Sequence, residues 1–131
     1  GGTGSGDVNE AYVTSLEQGL KNVGAEIEVG LAGAYKAHIK KEQANIPVSK
    51  HPLAPFMPKK ALPEFSLNQK YLNASAKKYD YALVTLGKSS GEFIDRPEHD
   101  FYLTDKELAM LNMVSKTFRE QGKPVVVILN V

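Results

Sequence analysis

The chain has 131 residues, 42% hydrophobic and 24% charged, a size and composition expected of one ordinary globular domain of about 100–200 residues or a large piece of one, able to bury roughly two thirds of its unfolded surface. Sixteen Lys plus Arg against 15 Asp plus Glu leave a formal net charge of +1. The basic pairs Lys40-Lys41, Lys59-Lys60 and Lys77-Lys78 are far apart with acids between them, which argues against the clustered basic face of a nucleic-acid partner.

The chain contains no cysteine, so disulfides, thiolate metal sites and cysteine nucleophiles are excluded, with no bearing on compartment. Its longest apolar run, Val125 to Leu129, is strand-sized and far short of the roughly 18 residues of a spanning helix, so no membrane segment is expected. The opening on Gly1-Gly2 without an initiator Met or signal-like segment, and the end on Val131 straight after an apolar run, predict a piece cut from a larger protein.

In chain order, Gly1 to Gly6 is a glycine-rich opening. Asp7 with Glu10 forms a capping-box pattern before Val8, Tyr12, Val13, Leu16, Leu20 and Val23, spaced as one face of a helix that Gly24 closes. Glu26-Ile27-Glu28-Val29 alternates over four residues, the pattern of a short edge strand. Leu31, Tyr35, His38, Ile39 and Glu42 predict a second, largely solvated helix interrupted at Gly33.

Five of the seven prolines fall between Pro47 and Pro63. Proline lacks the amide proton and restricts its predecessor, so neither a helix nor a central strand is expected to run through residues 47–63. The stretch reads as a surface excursion within one domain in preference to a linker, because neither side alone offers a complete core. Asn68 to Lys78 then predicts a short helix, and Tyr81 to Leu86 a nearly continuous apolar strand ending at Gly87.

Thr104 with Glu107 repeats the capping-box pattern ahead of Leu108, Leu111, Val114 and Phe118, with Gly122 closing the helix. Lys123-Pro124 leads into a second strand, Val125 to Leu129. Continuous apolar strands indicate burial on both faces, as in a parallel sheet between helix layers. The expected fold class is therefore α/β, a parallel sheet flanked by helices as in a three-layer α/β/α sandwich, with a right-handed βαβ crossover.

Ligands of open α/β sheets bind outside the carboxyl ends of the strands, which directs attention to Gly87 to Asp100. This loop is about twice the usual βα length, and long loops are more often functional. It carries Glu92, Asp95, Glu98 and Asp100 with Lys88, Arg96 and His99. As residues alone, these fit either a solvated acidic loop with Asp95 and Arg96 in local pairs or a site in which one carboxylate is a general acid or base. Other motifs fail. Gly2-x-Gly4-x-Gly6 has Asp7 where a dinucleotide fingerprint needs its third glycine, with no strand before it and no phosphate-loop lysine. His38, His51 and His99 lack metal-ligand spacing, so no metal site is expected. Ser89-Ser90-Gly91 lacks the Gly-x-Ser-x-Gly of a nucleophile elbow.

Gly87-Lys88-x-Ser90-Gly91-Glu92-x-x-Asp95-Arg96, followed by Asp100-Phe101-x-Leu103-Thr104, resembles the second domain of family 3 glycoside hydrolases, typified by bacterial β-glucosidases. The opening Gly2-x-Gly4-Ser5-Gly6-Asp7-Val8-Asn9, the spaced Tyr12, Ser15, Leu16, Gly19 and Leu20, and the closing Lys123 to Val131 are similar to the same domain. The likeness covers the chain apart from the proline-rich stretch. It implies a two-domain enzyme in which a barrel domain, missing here, carries an aspartate nucleophile and this domain supplies the acid/base. By that likeness Glu92 is the acid/base, and Lys88, Ser90, Phe93, Asp95 and Arg96 bind substrate or support the loop. No cofactor is implied. The partners implied are a β-linked glucoside or oligosaccharide and the barrel domain, and the unfinished sheet edge invites self-association of the fragment.

Two departures stand out. The family often has arginine where Lys88 stands, and lysine loses the planar fork. It often has a small residue where Phe93 stands, so this ring would narrow the acceptor side of the pocket or stack on a sugar. The family's N-acetylglucosaminidase branch places its acid in the barrel, so the Glu92 loop argues against that branch. The other reading is a non-catalytic α/β module binding a sugar or another small molecule, with Glu92 a plain loop carboxylate.

Overall fold

The computed structural model describes residues 11–52, 54, 61–88 and 97–130. They fall into two compact units, one of residues 11–52 with 54 and one of residues 61–88 with 97–130.

The first unit holds helices α1 (Leu16–Asn22) and α2 (Val29–Ala44). The expected start of α1 at Asp7 lies outside the described residues, as does the capping pattern with Glu10. Ser15 begins the helix instead: its backbone is extended and its Oγ accepts from the Gln18 amide at 3.2 Å. Tyr12 and Val13 are therefore off the helix and 84% and 69% exposed. At the other end Gly24 has φ +82°. The Ala25 amide donates to Leu20 C=O and the Gly24 amide to Lys21 C=O, each at 3.0 Å, the paired bonds of a Schellman close.

The edge strand expected at Glu26 to Val29 does not form. The Glu28 carboxylate accepts from the Leu31 amide and caps α2, which starts at Val29. One satisfied helix donor outweighs a four-residue alternation that has no neighbouring strand to pair with among the described residues. The helix also runs through Gly33 without interruption. Its half-buried residues Leu31, Tyr35, His38 and Glu42 keep the expected stripe, while Ile39 is exposed. The Glu17 carboxylate bonds Lys21 at 2.7 Å and Lys36 at 3.2 Å, joining α1 to α2. Among the described residues of this unit none is buried. The proline-rich stretch contributes neither α-helix nor strand at residues 47–52 and 61–63; residues 53 and 55–60 lie outside the described set.

The second unit carries the core. It runs α3 (Gln69–Lys78), β1 (Ala82–Gly87), a 3-10 helix (Glu98–Phe101), α4 (Asp105–Arg119) and β2 (Val125–Asn130). The strands pair in parallel with Ala82 opposite Val125 and Gly87 opposite Asn130, so β1-α4-β2 is the expected βαβ unit and the fold is α/β. Asn68 caps α3 by accepting from the Tyr71 amide at 3.2 Å. Leu72 and Ala76 of α3, Val84 and Leu86 of β1, and Met110, Val114 and Phe118 of α4 form one buried cluster.

Two expectations need correction here. The buried stripe of α4 is Met110, Val114, Thr117 and Phe118, and Leu108 is 47% exposed. A hydroxyl enters the buried stripe because it is satisfied on both sides, donating to Met113 C=O at 2.8 Å and accepting from Gln69 Nε2 at 2.9 Å. The strands are also not buried on both faces. Thr85, Val126, Val127 and Leu129 are exposed: α3 and α4 bury Val84 and Leu86 of β1, and among the described residues of β2 only Val125 packs against that cluster.

Candidate functional site

The carboxyl end of β1 is reached at Gly87 and Lys88. Lys88 is held there twice. Its amide donates to Asn130 C=O at 3.0 Å, extending the ladder with β2. Its ammonium meets the Glu107 carboxylate, with Nζ 3.1 Å from Oε2 and 3.4 Å from Oε1. Both side chains are largely shielded, 18% and 16% exposed, so this pair is screened less than a surface ion pair.

Glu107 is also the third residue of α4 and completes its capping box. The Glu107 amide donates to Thr104 Oγ1 at 3.2 Å, and the Thr104 amide donates to Glu107 Oε2 at 2.7 Å. The reciprocal box expected from sequence is therefore present. Partial burial pushes the Glu107 carboxyl up, but the Thr104 amide, the Lys88 ammonium and the Thr104 hydroxyl region together outweigh it. The group is held below the ordinary glutamate range.

Between these anchors, Pro97 precedes the 3-10 helix, whose first bond runs from the Asp100 amide to Pro97 C=O at 3.0 Å. Glu98 Oε1 accepts from the Tyr102 hydroxyl at 3.0 Å, and His99 Nε2 lies 3.5 Å from Asp100 Oδ1. Phe101 and Tyr102 are exposed by 81% and 63%. Two of the loop's four carboxylates thus have local partners near its far end.

Of the site residues expected from sequence, Lys88 is described, and it faces Glu107. Ser90, Glu92, Phe93, Asp95 and Arg96 lie outside the described residues, together with Ser89, Gly91 and the glycine-rich opening. Among the described residues no three His, Asp or Glu side chains gather as a metal site, and no helix is long and apolar enough to cross a membrane. Sequence reasoning places Glu107 in a capping box and gives it no partner in the loop. Its capping role is visible in Thr104-x-x-Glu107, whereas its pairing with Lys88 spans 19 positions and has no local signal.

A family profile described as "Glycosyl hydrolase family 3 C-terminal domain" matches residues 1–131. The fold is similar to that of β-glucosidase 3B from Thermotoga neapolitana in complex with glycerol, with a TM-score of 0.80 and 38% identity over 100% of this chain. The same enzyme in complex with glucose matches with a TM-score of 0.77 and 36% identity, again over 100% of this chain. In both cases this chain spans 18% of the length of the larger protein. No curated protein sequence matches.

Proposed function

The chain belongs to the glycosyl hydrolase family 3 C-terminal domain family, and from that premise we propose that it supplies the acid/base loop of a retaining β-glucosidase-type hydrolase. In this reading Glu92 is the acid/base, and an aspartate nucleophile comes from a barrel domain elsewhere in the protein. The substrate is a β-linked glucoside or oligosaccharide. What carries the reading is the match over residues 1–131, within which Glu92 follows Lys88 by four positions beyond the carboxyl end of a parallel strand, where α/β sheets bind ligands.

The chemistry needs two carboxyl groups about 5–5.5 Å apart, one attacking the anomeric carbon and the other protonating the leaving oxygen. The acid must hold a proton near neutral pH, which burial beneath substrate or a neighbouring carboxylate provides. It then returns as a base, taking a proton from the water that releases the sugar. Lys88, Ser90, Phe93, Asp95 and Arg96 bind substrate or support the loop in this reading.

Leaving-group dependence tests the assignment. A positioned acid contributes about 10²–10⁴-fold when the leaving group is poor, whereas a nitrophenolate departs with little help. In the full-length enzyme, Glu92→Ala is expected to depress kcat/KM for a disaccharide far more than glycosyl-enzyme formation from an activated aryl glucoside. The covalent intermediate should accumulate, since the base for deglycosylation is lost as well. Equal loss on both substrates, with Asp95→Ala or Glu98→Ala showing the selective pattern, assigns the role to another carboxylate.

A further inference from the structure

Glu107 Oε2 accepts from two donors that are far apart in sequence, Lys88 Nζ at 3.1 Å and the Thr104 amide at 2.7 Å. Lys88 is where the chain leaves β1, and Thr104 is where it enters α4. One carboxylate oxygen therefore closes the whole span from 88 to 104, and Glu92 lies inside that span. We propose that Glu107 is the clasp of the catalytic loop, a positioning residue that fixes the two ends of the segment bearing the acid/base; this rests on the assignment of Glu92 made above.

Three features make the clasp more than a helix cap. A capping box needs only the Thr104 and Glu107 pair, and glutamine at the third position serves it as well as glutamate. The Lys88 contact adds a charge-assisted bond that capping does not require. The paired side chains are 18% and 16% exposed, so removing either one would leave the other's shielded charge unmatched. Finally, the backbone of Lys88 is already pinned to Asn130 at 3.0 Å, so its ammonium transmits the position of α4 to a residue rigid with the sheet. The loop leaves from a point fixed by both neighbouring elements. This also favours Lys88 as support of the loop, because its ammonium is drawn towards Glu107 and is largely shielded.

Positioning matters because a misplacement of about 1 Å in a catalytic group can cost on the order of 100-fold. Glu107→Gln keeps the capping box and removes the charge that holds Lys88. In the full-length enzyme it is expected to lower kcat/KM for a disaccharide by about 10- to 100-fold, mainly through kcat, while an activated aryl glucoside loses less than about threefold in glycosyl-enzyme formation. Lys88→Met should reproduce this selective loss, Lys88→Arg should restore most of it, and the Lys88→Met, Glu107→Gln double variant should be no worse than either single one. Asn68→Ala, which removes the cap of α3, serves as the control: it should lower the melting temperature comparably without changing the ratio between substrates.

A raised KM with equal loss on both substrates in Lys88→Met overturns the proposal, because that is the behaviour of a direct substrate contact. So does a Glu107→Gln enzyme whose substrate ratio matches wild type, or one whose ratio moves no more than that of Asn68→Ala. Measuring Glu92→Ala alongside separates the two levels. If Glu92→Ala shows the selective loss and Glu107→Gln does not, the clasp alone fails. If Glu92→Ala shows no selectivity, the acid/base assignment fails and the clasp fails with it.

Discussion

Glu107 shows how much one carboxylate can be asked to do. Its pKa is held low because donors from Thr104 and Lys88 outweigh the cost of burial. A carboxyl whose folded pKa lies below its unfolded value, about 4.3 for glutamate, stabilises the fold fully above the unfolded pKa. That stabilisation is lost as pH falls through the folded one. Glu107→Gln should therefore flatten the acid limb of the stability profile, lowering stability at neutral pH but changing little well below the folded pKa. Urea unfolding followed at α4 between neutral and strongly acidic pH measures this, and an acid limb as steep as wild type would contradict the account. Glu17 is also held low, by Lys21 and then Lys36, but it sits in the other unit and should leave the α4 signal unchanged. The capping role of Glu107 is legible because Thr104 and Glu107 are neighbours on one turn. The pairing with Lys88 is not, since β1 and α4 must fold together before the two groups meet. For the same reason the sequence offered Lys88 equally as a substrate contact and as loop support.

At the scale of elements, the features that could be read in advance are those governed by local chemistry. The short helix ending at Lys78, the Thr104 box, the apolar run of β1 and the strand after Lys123-Pro124 all appear where the sequence places them. The misreadings came from competition between local signals or from tertiary packing. Ser15 displaced the expected helix start, Glu28 capped a helix where alternation indicated a strand, and Thr117 entered a stripe assigned to apolar residues. Glycine behaved in both ways. Gly122 has φ +68°, and the Lys123 amide bonds Phe118 C=O while the Gly122 amide bonds Arg119 C=O, at 3.0 and 2.9 Å. This close turns the chain from α4 into β2. Gly33 lies inside α2, with open space where a Cβ would project. Alanine is therefore expected to act oppositely at the two sites. Gly122→Ala forces a side chain into the left-handed region and should destabilise the unit by about 1 kcal/mol or more. Gly33→Ala should stabilise α2 by roughly 0.5–1 kcal/mol. Amide hydrogen exchange reads both locally: faster exchange in α4 and β2 for the first, slower exchange in α2 for the second. The same sign at both positions would show that backbone conformation does not govern these glycines.

At the scale of the molecule, the chain covers 18% of the length of the β-glucosidases it resembles, and its exposed apolar surface is distributed accordingly. The buried cluster joins α3, β1 and α4, yet Val126 and Leu129 of β2 are 46% and 64% exposed. Among the described residues β2 pairs only with β1, so within that set its outer edge carries no strand partner and lies beside apolar side chains. Such an edge is a template for another strand. The 131 residues studied alone are therefore expected to associate through β2, with a sedimentation coefficient that rises with concentration. Val126→Lys with Leu129→Lys should suppress that rise by placing charge on the exposed side chains, while leaving Val84, Leu86 and the buried cluster intact. The same preparation is expected to hydrolyse an aryl β-glucoside no faster than its Glu92→Ala counterpart, because retention needs two carboxyl groups across the sugar and the proposed nucleophile belongs to another domain. Association and inactivity are separable outcomes. A chain that stays monomeric at every concentration removes the edge-pairing argument and leaves the division of the active site standing. Turnover well above the Glu92→Ala control in the monomeric lysine variant shows instead that this domain contains its own nucleophile, and the two-domain mechanism is then wrong.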